Sequence, residues 1–442
     1  MKTKLITKGT STLIVNSSEQ SGLWLGEKTN LFWSSLIGFL LVLGSARGAL
    51  VIHFNLPPIP VYRVCALLLI ILATYGYMIK GRYKSQDLII LRNFMKLNIF
   101  LGLVSVVVDY ILGMSPSIAL LYLYLAPYIV FLFLRVPTNY LNIAIVIITL
   151  AICFSVTGNF IDALSGQGGV QKVIDYNLKL RPDVFVGLSR TGEFIRASGY
   201  TGSYHDSANI LGMAACFFLI KFLLRKSMYD LGFFLFAMLS LTLTQSAANI
   251  IIAIATLSIF FAYIVVKKRQ VSTYFYVVIA MISIVLFIGR FGDMMSIFIQ
   301  RVGSDGDWGG MLAHLDLDSF ISNIPYFIVG HAKAFGSEMI HTEIGMIGTM
   351  LELGILHVAI FFGTLVFPLF QFLKSKNVCY EALPSLAAIT FGFLSLLHYG
   401  SLLRGTSIFL FYAFYAVCLA NIYKVDGRAY YKKRERSVLN IE

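Results

Sequence analysis

Two long polar stretches interrupt an otherwise apolar chain, and both contain basic side chains that could bind phosphate. These side chains are Arg181, Arg190 and Arg196 in the first stretch (residues 158–206), and Arg301 and Lys333 in the second (residues 291–343). Arginine suits phosphate because its planar guanidinium binds two oxygens at once and stays charged. If they converge, these side chains would bind a pyrophosphate at a membrane surface. Pairing with acids of the same stretches, such as Asp183, is the alternative.

A histidine at the end of the second stretch is the best candidate for a general base. His341 lies just before an apolar run, and an imidazole can accept a proton near neutral pH. Glu343 follows it and would suit the N-terminal end of a helix that starts there. We assign Glu343 and Lys333 to the substrate-binding set. A loop histidine with a structural or solvated role is the alternative.

The end of the first stretch is a polar segment that enters the next apolar run. Gly199 permits a tight turn near a ligand, and Ser207 and Asn209 could cap the following helix. A helix N-terminus beside arginines would form an anion site, which places Gly199 and Asn209 in the substrate-binding set. The alternative is an ordinary capped entry into a helix, which requires no ligand.

Metal and cofactor chemistry is not expected. Asp305/Asp307 and Asp316/Asp318 form Asp-x-Asp pairs that could bind a divalent cation, but their surroundings are equally typical of turns. No Cys/His spacing for zinc and no phosphate-binding glycine loop occurs. We therefore predict no metal and no cofactor.

The composition indicates that these segments are positioned by membrane-spanning helices. Hydrophobic residues make up 58% of the 442 residues, charged residues 13%, and the mean hydropathy is +0.79. A soluble domain has about 45–50% apolar and about 25% charged residues. The net charge of +13 is concentrated at the ends of apolar runs, so we attribute it to membrane topology and predict no nucleic-acid binding.

The apolar runs predict an all-α polytopic protein, residues 1–442 forming one membrane domain with about twelve spans. The predicted spans are Leu31–Ile52, Val61–Ile79, Leu97–Gly113, Ser117–Leu134, Tyr140–Val156, Asn209–Leu224, Leu231–Leu243, Ala247–Val266, Thr273–Ile288, Ile344–Leu369, Leu383–Leu397 and Ser407–Ile422. Lys and Arg alternate between the short loops, which places both termini in the cytoplasm and residues 158–206 and 291–343 outside as long periplasmic loops.

Three segments resemble the O-antigen polymerase and ligase superfamily, the Wzy-type and WaaL-type membrane glycosyltransferases. Arg196-x-x-Gly199 followed by Asn209 is similar to the family's Arg–Gly…Asn entry into a helix. The polar break Leu241-Thr-Leu-Thr-Gln-Ser246 resembles the one that follows a span in that family. Gly330…His341 leading into Glu352-Leu-Gly354 is similar to its Gly…His-Asn…Glu-x-Gly segment, with Thr342 in place of the Asn.

This resemblance implies transfer of an undecaprenyl-pyrophosphate-linked glycan on the outer face of a bacterial plasma (inner) membrane, without a metal. Arg196, Arg190, Arg181 and Arg301 would hold the pyrophosphate, and His341 would take the acceptor proton. A surface-polysaccharide polymerase is the leading interpretation, because polymerases of this family are more variable than ligases. An O-antigen ligase and a lipid-linked glycan flippase are the alternatives, and a chain-length regulator would be a further partner of a polymerase.

Overall fold

The helical fold is seen in a computed structural model that describes residues 27–46, 48–49, 54, 64–73, 86–113, 125–165, 197–244, 246–268, 328, 354–375, 379–396 and 406–425. No strand occurs within these ranges. The helices are α1 (Glu27–Ser45), α2 (Val64–Ala73), α3 (Gln86–Ile111), α4 (Ile129–Phe133), α5 (Thr138–Ser165), α6 (Tyr204–Arg225), α7 (Met228–Leu243), α8 (Ala247–Lys268), α9 (Ile355–Lys374), α10 (Leu383–Ser395) and α11 (Ser407–Val425).

Six of the described helices, α3, α5, α6, α8, α9 and α11, are long and apolar enough to cross a membrane. Large apolar side chains on α3 are exposed, including Phe94, Phe100 and Val107. Such a surface is costly in water but suits lipid. The predicted all-α class is therefore confirmed for the described residues, which include six candidate membrane-spanning helices. The number of about twelve spans, the sidedness of the loops and the location of the termini stay predictions.

Several helix boundaries differ from the predicted spans. α3 begins at Gln86, so residues 86–96, which precede the predicted span Leu97–Gly113, form its first three turns. Asp87 in the first turn suits the positive end of the helix dipole. The long side chain of Arg92 can extend along the helix so that its guanidinium reaches the surface. α5 continues to Ser165, and α6 begins at Tyr204. Both ends of the stretch 158–206 are therefore helical rather than loop.

The predicted span Ile344–Leu369 also differs in the described part. Its helix α9 begins only at Ile355, after Gly354, whose φ of 78° and ψ of 157° only glycine adopts easily. In the predicted span Ser117–Leu134, the short α4 follows a 3₁₀ turn at Ala126–Tyr128. The predicted span Thr273–Ile288 lies outside the described residues.

The helices run alternately between two ends of the bundle. At the basic end, which carries Arg225 and Lys374, Lys374 Nζ lies 3.0 Å from Asp87 Oδ1 and joins α9 to α3. At the opposite end, Ala197 N donates to Leu243 O over 3.3 Å. This bond joins the chain just before α6 to the end of α7. The polar segment that follows Arg196 therefore lies at the end away from Arg225 and Lys374.

Helix α6 forms the centre of the bundle. In the apolar part of α6 that is long enough to span a membrane, 89% of the residues are buried. Such burial fits a helix that is apolar on all sides. Gly212 lets α10 approach closely, because a Cβ there would collide with the ring of Phe391. Because α6 is packed tightly, the end of the segment that precedes it has a defined position.

Candidate functional site

The candidate site is built on the entry segment, which we define as residues 197–203, between Arg196 and helix α6. It contains the 3₁₀ turn Gly199–Thr201, and Gly199 and Gly202 have φ values of 56° and 72°. Residues that have a Cβ rarely adopt positive φ values of this kind. The segment then ends at Ser203, the N-cap of α6, whose Oγ accepts from Asp206 N over 3.4 Å.

Two polar side chains of α5 fix the entry segment. Asn159 Oδ1 accepts from Ser198 N over 2.9 Å and from Gly199 N over 3.4 Å. Ser155 Oγ accepts from Tyr200 N over 3.0 Å. These bonds connect residues far apart in sequence, and both acceptors are buried. The turn therefore has a defined position against α5.

A cluster of hydroxyls closes the entry segment on itself. Thr201 Oγ1 lies 2.8 Å from Ser207 Oγ and 2.6 Å from Ser203 O, and it accepts from Ser203 N over 3.1 Å. Ser207 Oγ donates to Ser198 O. All of these groups belong to the turn or to the first two turns of α6. The turn and the helix therefore form one unit.

The entry segment also contacts the polar break after α7. The bond from Ala197 N to Leu243 O reaches the last residue of α7, which is followed by the C-cap Thr244. Helix α8 then begins at Ala247, and its residue Ile250 donates a backbone bond to Ser246 O. Arg196 is the residue before Ala197 in sequence, so the chain is anchored immediately after this arginine.

A buried carboxylate at the start of α6, just after the entry segment, connects this helix to α11. Asp206 is 4% exposed, and its oxygens lie 3.4 Å from both Thr406 N and Ser407 Oγ at the start of α11. Asp206 also sits in the first turn of α6. One negative charge thus faces the positive ends of two helix dipoles.

These caps correct the predicted N-cap of α6, while the anion site beside the arginines stays a prediction. Ser203, rather than Ser207 or Asn209, is the N-cap, and Ser207 and Asn209 lie inside the helix and are buried. Asp206 already supplies a negative group at the start of α11.

Two of the predicted site residues lie in the described part of the chain. Gly199 packs against α5, where an added Cβ would lie 2.6 Å from Ser155 Oγ and 2.8 Å from Val156 Cγ2. Asn209 is 1% exposed within α6. The other predicted site residues, His341, Arg196, Arg301, Arg181, Arg190, Lys333 and Glu343, lie outside the described residues, so their convergence stays a prediction.

No protein-family model matches the chain, and no curated protein sequence matches it either. The site is therefore argued from its own geometry.

Sequence reasoning missed the residues that position the entry segment. Asn159 and Ser155 carry no local signal, because their partners lie about forty residues further along the chain, where only packing of α5 brings them close. Asp206 did carry one, since Ser203-x-x-Asp206 has the spacing of an N-cap and its third helical residue. No pattern in the sequence connects Asp206 with α11.

Among the described residues, no group of three His, Cys, Asp or Glu side chains could hold a metal ion. Of the described histidines, His357 of α9 has its Nε2 3.0 Å from Asn98 Oδ1 of α3, and both side chains are buried. This pair is explained as a polar contact between two helices. The described part of the site is therefore a frame of hydrogen bonds around the entry segment.

Proposed function

We propose that this protein is a membrane glycosyltransferase, a polymerase of O-antigen or another surface polysaccharide. It would join repeat units linked to undecaprenyl pyrophosphate on the outer face of a bacterial plasma membrane. The observation that carries the proposal is the contact between Ala197 N and Leu243 O. It packs together two of the three segments that resemble the polymerase and ligase superfamily, which lie about fifty residues apart in sequence.

The chemistry we propose is a direct transfer of the glycan chain. A hydroxyl oxygen of the acceptor repeat attacks the anomeric carbon of the donor chain, and His341 takes the hydroxyl proton. The bond between that carbon and the pyrophosphate oxygen breaks, and undecaprenyl pyrophosphate leaves with the electron pair. Arg196 and Arg301 stabilise the charge that develops on the leaving group. No cofactor or metal takes part in this step.

The remaining candidate residues would bind the substrates. Arg181, Arg190 and Lys333 lie in the two long stretches and would hold the pyrophosphate, while Glu343 would contact the acceptor sugar. Such a site requires arginine side chains held in place, because a small misplacement of catalytic groups is costly. The buried hydrogen bonds of Asn159 and Asp206 hold the chain next to Arg196 in place, and they support that requirement.

A gene deletion distinguishes the candidate functions, with surface glycan separated on a gel. Loss of a polymerase leaves lipid capped with a single repeat unit. Loss of a ligase leaves undecorated core and accumulated polymer. Loss of a flippase leaves unpolymerised repeats inside the cell. We expect the first pattern, and either of the others would replace the proposal.

Two substitutions then test the assigned residues in the complemented deletion strain. We expect Arg196→Ala and His341→Ala each to abolish polymer while the protein remains at normal abundance. Lys267→Ala is the matched control, since Lys267 is exposed at the end of α8 that lies away from the entry segment. Full-length polymer from either Arg196→Ala or His341→Ala contradicts the role given to that residue.

A further inference from the structure

A second polar site lies at the basic end of the bundle. A cavity of about 210 Å³, open on one side, is lined there by α5, α6, α11 and the start of α10. Its polar lining residues are Asn142, Lys221, Arg225, Glu381, Ser385 and Asn421. The entry segment lies at the opposite end of α6, so this cavity is separate from the site proposed above.

Two cationic groups line the cavity. Arg225 makes no ion pair with any residue in the described ranges. Lys221 Nζ lies 2.8 Å from Asp230 Oδ1 and 5.6 Å from the ring centroids of Phe217 and Phe218. These contacts fix the ammonium in position, and it keeps protons that can be donated to a ligand. A held ammonium and an unpaired guanidinium on one cavity favour an anion.

Two residues that line the cavity each carry a buried polar atom without a hydrogen-bond partner among the described residues. Ser385 is 1% exposed, and its Oγ makes no hydrogen bond with the described residues. Asn142 Oδ1 is buried in the same condition, and turning the amide would present its NH₂ group instead. An unsatisfied buried polar group costs about 1–3 kcal/mol. A polar group bound in the cavity would lie close to both residues and could satisfy these atoms.

The size and depth of the cavity indicate which polar group. Pockets for drug-sized ligands have volumes of roughly 300–1,000 Å³, so this cavity suits a headgroup or a small ion. It lies at helix ends, where phospholipid phosphates are found, and it reaches from the exposed Glu381 to the buried Ser385. Helix dipoles do not decide the charge, because α5 and α10 begin here while α6 and α11 end here. The side-chain cations therefore determine the preference.

We propose that this cavity binds the phosphate of a phospholipid headgroup through Arg225, Lys221 and Ser385. Glu381 at its rim disfavours a second negative charge, which favours a phosphodiester over a phosphate dianion. Free phosphate shares this chemistry and is tested as a separate source. The proposal does not rest on the glycosyltransferase function, and neither stands or falls with the other.

The test uses the purified full-length protein in detergent, with its thermal unfolding midpoint measured against added phosphatidylglycerol, phosphatidylethanolamine or inorganic phosphate. A ligand of the folded state raises this midpoint. We expect either lipid to raise it, and Arg225→Gln to weaken the apparent affinity about tenfold or more. Lys267→Gln, at the same end but outside the cavity, should leave the affinity unchanged.

A second variant addresses the risk that Arg225→Gln unfolds. Ser385→Leu would fill the cavity with an apolar side chain, and we expect it to abolish the lipid response while the unliganded protein stays folded. A response to inorganic phosphate alone would replace the lipid by a free anion. No response of the wild-type protein to any of the three ligands, or an undiminished response in both variants, overturns the proposal.

Discussion

Replacing Asp206 with asparagine should destabilise the protein, because its charge faces two helix N-termini. Its contacts with Thr406 N and Ser407 Oγ are both 3.4 Å, beyond the usual 2.7–3.2 Å of an N–H···O bond and the 2.5–3.0 Å of an O–H···O bond. The two hydrogen bonds to the start of α11 are therefore weak, and at α11 the interaction of the charge with the helix dipole is the stronger contribution. Each such interaction contributes about 0.3–1 kcal/mol at the surface and up to about 2 kcal/mol when partly buried.

Summed over α6 and α11, the expected loss for Asp206→Asn is about 1–3 kcal/mol. Asp206 is 4% exposed, so the cost of desolvating its carboxylate offsets part of the dipole interaction. For this reason we expect the loss not to exceed about 3 kcal/mol. Since asparagine is also a good acceptor, it would rescue a contact that depended on hydrogen bonding. We expect no such rescue, so that Asp206→Asn and Asp206→Ala behave alike.

The assay is thermal unfolding in detergent, compared at one heating rate because unfolding of such proteins is often irreversible. A loss of 1 kcal/mol lowers the midpoint by roughly 2–4 °C in chains of 150–250 residues, and by less in longer ones. Asp87→Asn is the matched control, since Asp87 also lies in a first turn but pairs with a lysine whose side chain is 63% exposed. Such a pair contributes about 0–1 kcal/mol. A wild-type midpoint for Asp206→Asn would refute the dipole argument.

Three further predictions concern the frame and the proposed reaction. Gly212→Ala should destabilise the protein by about 1–3 kcal/mol in the same thermal assay, because the added methyl group overlaps the ring of Phe391. Gly232→Ala is the control, since the space around Gly232 is open, and it should be neutral or slightly stabilising. Equal unfolding midpoints for the two variants would contradict the close packing. Asn159→Ala leaves two buried N–H groups without their acceptor, so we expect polymer on the gel to fall more than protein abundance, and Asn159→Asp, which keeps an acceptor, to retain more polymer. Polymer formation by washed membranes should survive EDTA, and strict metal dependence would move the site to the aspartate pairs of the second polar stretch.

The sequence predicted the helical membrane class because that class depends on composition and on the length of apolar runs, which are local properties. It placed helix ends less well. The charged start of α3 lies outside the predicted span because hydropathy alone cannot distinguish an exposed helical turn from a connection. The break at Gly354 was missed because a single glycine inside an apolar run carries no signal of its φ angle.

The candidate site was predictable to a smaller extent. Gly199 was identified as a turn residue, and its φ of 56° confirms the turn. Its need for close approach to α5 was not visible, since that depends on packing with residues more than forty positions earlier in the chain. Asp206 was overlooked because its partners begin α11, about two hundred residues later. Long-range contacts of this kind have no pattern in a single sequence.

The hydrogen bonds of the entry segment determine which groups could bind a pyrophosphate at the proposed site. Irregular backbone is tolerated at a membrane only where its polar groups are satisfied. Here the acceptors for Ala197, Ser198, Gly199 and Tyr200 come from α5 and α7, and those for Gly202 and Ser203 come from the turn itself. These N–H groups already have acceptors, so they do not form an open anion-binding loop of the kind found in nucleotide-binding folds. Under the proposed function, the pyrophosphate must therefore be held by arginine side chains, and Arg196→Lys, which keeps the charge but loses the planar fork, should make markedly less polymer than the wild type.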